Sequence, residues 1–332
     1  MSDNSAMPTP PPARLPLIGT IQAGWVKISP NIRGACSVVT GAFLLIVMAS
    51  LVKHLGQELP AFEVLFVRFL AGLIVILPLV WKMGLARTLR TKKIHLHATR
   101  GFVGFMGNMF FFFALIHIPL ADTVTIQFSR PLFMIVIAAL FLRETIGYER
   151  GIATVIGFGG ILMITKPFGA GFDPWALSAL GGTIFGTLVV LTIKLLSRTE
   201  QTVTIMFYFA LFTTLLAFIP AMFTWQTPTW PQLGLLILTG ALGIIGQGLF
   251  THGVGLGDTS FVMPLDYIRI VYSFILGVLW FGEVPGIWSY AGAAVIVGSS
   301  IYLLRAESQN RPKAKQKAST PEGVKSTIDK PW

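Results

Sequence analysis

The chain has 332 residues, 54% hydrophobic and only 12% charged, with 26 Phe and a formal net charge of +11; ordinary soluble domains carry about 25% charge. That balance excludes a disordered chain and argues against a soluble globular enzyme. The basicity is local: residues 1–33 carry +2, residues 82–100 carry +6 (Lys82, Arg87, Arg90, Lys92, Lys93, Arg100), residues 305–332 carry +4, and the rest nets −1. Charge confined to loops and tails fits loops beside a membrane rather than a nucleic-acid-binding face.

In chain order, residues 1–33 are Pro-rich and polar and lack the ordered pattern of a signal peptide. A disordered tail is expected there. Ten apolar segments follow, at about 34–53, 61–81, 98–117, 121–142, 147–165, 175–195, 202–224, 232–254, 259–281 and 286–304. A hydrocarbon core of ~30 Å takes about 20 helical residues per crossing, and the backbone must satisfy its hydrogen bonds internally. The expected class is therefore an all-α membrane protein of ten transmembrane helices. Residues 305–332, rich in Lys, Ser and Pro, are expected to form a disordered basic tail. With ten crossings, the basic loops after the second, fourth and sixth helices share one side with both tails. The positive-inside rule makes that side cytoplasmic.

The second half echoes the first. Residues 119–123 (PLADT) match 255–259 (GLGDT) at an offset of 136, which also pairs Gly104 with Gly240 and Gly107 with Gly243. Residues 140–147 (LFLRETIG) match 279–286 (LWFGEVPG), pairing Glu144 with Glu283. Lys53 and Lys194 lie alike in the first helix of each half. Five helices per half force the second repeat to insert upside down, an architecture recurrent in transporters. The expected organisation is a first repeat at 34–166 and a second at 170–304.

Chemistry-bearing residues are few. Cys36 is the single cysteine, so no intramolecular disulfide forms and no Cys-based zinc site exists. His95 and His97 read as surface groups of the basic loop. Gly101, Gly104 and Gly107, with Gly240, Gly243 and Gly246, repeat every three residues; on apolar helices this spacing serves close backbone packing rather than phosphate binding. Charges inside the spans are costly and call for a partner or a wet cavity. Arg130 and Asp266, equivalent under the 136 offset, are the sharpest of these, with Arg269 on the face of Asp266. Either they pair to hold the repeats in register, or they serve a substrate. Pro131 and Pro264 stand beside them, and each can break its helix and free backbone groups for a ligand.

Thr123, Gln127, Arg130 and Met134 share one helix face. Asn108 and Gln247 are the amides expected to look inward, and His252 lies about a turn beyond Gln247. The expected substrate path is Asn108, Gln127, Arg130, Gln247, His252, Asp266, Tyr267 and Arg269. Glu63 and Arg68 are expected to form a structural charge pair on the second helix, and Glu144 and Glu283 to cap or tether loops. Among Phe110–Phe113, one or two rings are available to stack on a planar substrate.

These motifs resemble the drug/metabolite transporter superfamily, specifically proteins with two tandem EamA-like repeats. The resemblance spans about 34–304 and is carried by residues 62–70 (FEVLFVRFL), 100–115, 119–133, 140–144, 264–270 (PLDYIRI) and 279–283 (LWFGE). It implies a central cavity lined by the first, third and fourth helices of each repeat, and export or uptake of small metabolites across the bacterial inner membrane. No nucleophile–base pair, metal cluster or Walker-type loop is visible, so no catalytic residue, metal or cofactor is expected and energy comes from a gradient. The expected function is a secondary carrier of a small polar metabolite, amino acids or related organic acids being favoured. Riboflavin or S-adenosylmethionine transport is the alternative, and a non-transporting scaffold the lesser one. Expected partners are the small-molecule substrate, the lipid bilayer, a coupled proton or other ion, and a second copy in a homodimer; nucleic acid is not among them.

Overall fold

The computed structural model describes residues 29–84, 88–142, 147–167, 172–197, 199–256 and 259–318. Among them the chain makes ten helical spans: α1 Pro30–Leu55, α2 Ala61–Met83, α3 Ile94–His117, a fourth in two pieces (α4a Leu120–Gln127, α4b Arg130–Leu142), α5 Tyr148–Thr165, α6 Trp175–Leu196, α7 Thr202–Phe223, α8 Trp230–Leu256, a ninth in pieces (α9a Thr259–Val262, a 3-10 turn Met263–Tyr267, α9b Ile268–Phe281) and α10 Ile287–Ala318. Eight spans are long and apolar enough to cross a membrane; the apolar part of α10, Ile287–Leu303, is shorter. The eighteen-residue α5 opens with Tyr148, Glu149 and Arg150, which lowers its apolar content.

Local sequence sets the helix ends. Ser29 caps α1 by accepting from the Ile32 amide at 3.4 Å, and Pro30 takes the first helical position, where no amide hydrogen is needed. α10 runs on to Ala318, so the stretch from 305 is helical where a disordered tail was expected. Strong helix formers there (Arg305, Ala306, Glu307, Gln309) outweigh its polarity. The expected tail at 1–28, residues 319–332 and Glu144 lie outside the described residues.

The packing repeats with inverted two-fold logic. α1 lies on α8 and α3 on α6, which are equivalent pairs; α2 packs on α7, and α5 on α10, each on its own counterpart. Glycine makes these seams close. A Cβ on Gly41 would come 2.8 Å from the Gly246 carbonyl oxygen, and one on Gly246 3.1 Å from that of Gly41. Gly160 and Gly292 approach in the same reciprocal way across α5 and α10, at 2.9 and 2.6 Å. In lipid, where apolar surface alone does not drive helices together, such contact supplies the dispersion energy of association.

Candidate substrate site

The two broken spans meet at the middle of the bundle. In the fourth, Pro131 lacks an amide hydrogen, and the helix opens at Phe128 and Ser129. The Ile126 carbonyl accepts from the Ser129 amide at 3.0 Å and from Ser129 Oγ at 2.5 Å, and Thr183 Oγ1 of α6, which donates to its own Ala179 carbonyl at 2.9 Å, also lies 3.3 Å from it. The Phe128 carbonyl accepts from Ser300 Oγ of α10 at 3.4 Å. In the ninth, Pro264 opens the 3-10 turn. The breaks face each other: the Phe128 and Tyr267 rings are 5.0 Å apart.

The charges sit at these breaks. Arg269 Nε lies 2.6 Å from Asp266 Oδ1, and its guanidinium covers the Phe250 ring of α8 at 5.1 Å. Arg130 therefore makes no direct pair with Asp266; the nearer arginine, one turn away on the same helix, takes that carboxylate. Arg130 Nε is buried without a hydrogen-bond partner, against Gly186 of α6, where a Cβ would come within 3.0 Å. Gln127 is half-buried at the last residue of α4a, Tyr267 is half-buried, and Gln247 and His252 are exposed on α8.

Two expectations change. Glu63 and Arg68 do not pair: Glu63 accepts from the Gln226 amide at 2.9 Å, while Arg68 donates to Asn108 Oδ1 at 3.3 Å. Five residues place two side chains about 140° apart on a helix, so they cannot share a face. That spacing was the signal available in the sequence for an inward-facing Arg68. His97 is fully buried and its ring lies tilted against that of Tyr208 of α7, centroids 4.6 Å apart, because the helix starts at Ile94, before the apolar run, and turns His97 onto α7; His95 stays exposed.

One end of the bundle is tied shut. Lys53 Nζ, only 6% exposed as a residue, meets Glu283 Oε1 at 2.6 Å and donates to the Ile118 carbonyl at 2.6 Å. Glu283 Oε2 accepts from the Leu120 amide at 2.8 Å, capping the start of α4a. Gln57 donates to the Ile116 carbonyl at 2.9 Å, and Phe62 of α2 meets Phe113 of α3 at 5.6 Å. At this far end α1 touches α3, and α4a touches α9b; the equivalent pairs at the other end, α6 with α8 and α9a with α4b, make no comparable contact among the described residues. Lys194, the counterpart of Lys53, is exposed.

A family model for EamA-like transporters matches residues 32–166 and 173–305. The chain belongs to the EamA-like transporter family. Its two repeats make it a multi-pass membrane transporter of small metabolites and not an enzyme. Among relatives, an S-adenosylmethionine uptake transporter of Rickettsia bellii is 31% identical over 82% of this chain and 95% of its own. A pseudopaline exporter of Pseudomonas aeruginosa is 33% identical over 82% and 96%, and a riboflavin transporter of Vibrio cholerae 28% over 84% and 95%. A solved crystal structure shares the fold at a TM-score of 0.54 with 20% identity, covering 82% of this chain and 99% of that one.

Proposed function

We propose that this transporter is a secondary carrier working by alternating access in the bacterial inner membrane, with both termini cytoplasmic, and that it moves a small acidic metabolite, an amino acid or related organic acid. The observation that carries the reading is the mid-bundle pair of broken spans, bearing Arg130, which has no ion-pair partner among the described residues, next to an Asp266–Arg269 pair. A guanidinium in a water-poor cavity favours a carboxylate or phosphate, which it can bond bidentately. Gln127 and Tyr267 supply neutral polar contacts around it, and Gln247 lines the approach along α8, with His252, five residues on, turned to another face of that helix.

Asp266 serves as the proton site: protonation would release Arg269 and change the charge of the cavity as the carrier turns over. Flux in proteoliposomes of the purified protein tests the carrier reading; saturable counterflow of an acidic metabolite, faster with an imposed proton gradient, is expected. Uptake of S-adenosylmethionine is the second reading, favoured by the Rickettsia bellii relative. Saturable S-adenosylmethionine uptake that acidic metabolites fail to compete with would replace the first reading by the second.

A further inference from the structure

Beside the Lys53–Glu283 lock at the far end stands a carboxyl group that the lock does not use. Asp122 lies in the first turn of α4a, two residues after Leu120, whose amide Glu283 Oε2 holds. Its Oδ1 is buried without a hydrogen-bond partner, and the hydroxyl of Ser289 on α10 reaches the carboxyl group.

α4a packs on α1, α3, α5, α6, α9b and α10. The charged groups whose fields reach Asp122 are Glu283, just after α9b, Lys166 at the end of α5 and Lys53 of α1. Lys166 is exposed to solvent. The other titratable groups at this end are turned elsewhere: His54, Glu58 and His117 are exposed, and Asp173 accepts from the Trp175 amide at 2.9 Å at the start of α6.

Two carboxyl groups therefore share one buried lysine. Lys53 Nζ already meets Glu283 Oε1 and the Ile118 carbonyl, each at 2.6 Å. With both carboxyl groups ionised, the cluster holds an excess negative charge in a place with little water, which is unfavourable. A proton on one of them removes that charge. Glu283 is the wrong one to take it, because both of its oxygens accept, one from the lysine and one from an amide. Asp122, with its bare Oδ1, is the right one.

Resting on the carrier reading above only for the far end as a gate, we infer that Asp122 is the proton-binding site of the far-end lock. In the closed form it is the carboxylic acid that lets Lys53 pair with Glu283 alone. When its O–H bond breaks and the proton leaves to water of the far compartment, the new carboxylate competes for Lys53, and α9b loses its tie to α1 and α4a. Acid on the far side favours closure of that end, and alkali loosens it.

The test is infrared titration of the purified full-length protein, with the C=O band of a protonated carboxyl group assigned by difference against Asp122→Asn. The unmodified protein is expected to show an Asp122 acid band at pH ~6, where an exposed aspartate has none. Asp122→Glu keeps the acid and should move the band in frequency instead of removing it, and it serves where Asp122→Asn fails to fold. Glu283→Gln leaves Asp122 as the carboxylate for Lys53 and frees α9b, so the midpoint of the band should fall by about 1–3 pH units. An acid that is merely buried, with no share in the lysine, would keep its midpoint in Glu283→Gln. No Asp122 band at pH ~6, a band unmoved in Asp122→Glu, or a midpoint unchanged in Glu283→Gln would overturn the inference. Failure of the carrier reading looks different: absence of saturable flux with this titration intact removes the carrier and keeps the proton site, whereas saturable flux without an Asp122 band does the reverse.

Discussion

At the far end of the bundle, Lys53 is buried between Glu283 and the Ile118 carbonyl, and Glu283 holds the first amide of α4a. At the terminal end the equivalent lysine, Lys194, is exposed, and among the described residues the corresponding pairs, α6 with α8 and α9a with α4b, make no comparable contact. The two ends are built from equivalent sequence, yet among the described residues only the far end carries this set of contacts. Symmetry in an inverted repeat therefore belongs to the elements and not to one conformation. Exchanging the two arrangements would change the side of the membrane from which the mid-bundle arginines are reached.

The comparison breaks first at the lock. Lys53→Met leaves the Glu283 carboxylate without its cation in a largely buried place, where loss of one partner costs about 3–5 kcal/mol; a lower unfolding midpoint in detergent and loss of most flux are expected. Lys53→Met with Glu283→Gln should recover much of the midpoint. If single and double variants melt alike, the pair does not hold the far end. Next comes the seam that both ends share. Gly41→Val drives side-chain atoms into the Gly246 backbone, which cannot move aside cheaply, and about 1–3 kcal/mol of stability should be lost. Gly248→Ala, with open space at its Cβ, should change the midpoint little.

The site sharpens the comparison at smaller amplitude. Arg130→Gln and Arg269→Gln should each weaken binding of an acidic substrate by about tenfold while sparing its amide; equal losses for both would make the arginines structural only. The smallest effect is expected at the break in the fourth span. Thr183→Val removes a hydroxyl whose one hydrogen is shared between the Ala179 carbonyl at 2.9 Å and the Ile126 carbonyl at 3.3 Å, so at most about 0.5–1.5 kcal/mol should be lost, read as a modest fall in the midpoint with the substrate preference unchanged.

Much of the fold was legible because membrane spans impose length and apolarity on sequence. All ten apolar runs became helical spans, and the offset of 136 located equivalent elements before any packing was known. The breaks were legible through Pro131 and Pro264, since a missing amide hydrogen is a local fact. Partner choice was not. Asp266 had two arginines to choose from, and distance along one helix decided for Arg269. Arg68 and Glu63 are near in sequence, but their five-residue separation places them on different faces of α2. The burial of His97 depended on where α3 starts, and the polar residues before its apolar run masked that start. Lys53 and Glu283 lie 230 residues apart, so their contact is a product of the inverted fold rather than of any local pattern.

The account rests on a mid-bundle site open to the terminal end and shut from the far end by Lys53 and Glu283. Replacing Cys36 by Ser gives a background free of other thiols, into which Gln127→Cys places a thiol at the break in the fourth span. Labelling that thiol with a membrane-impermeant maleimide, in sealed vesicles of each orientation, tests the claim directly. Labelling from the side of the termini alone is expected, with labelling from the far side appearing once Glu283→Gln is added. Labelling from the far side with the lock intact, or no change when the lock is removed, would contradict it.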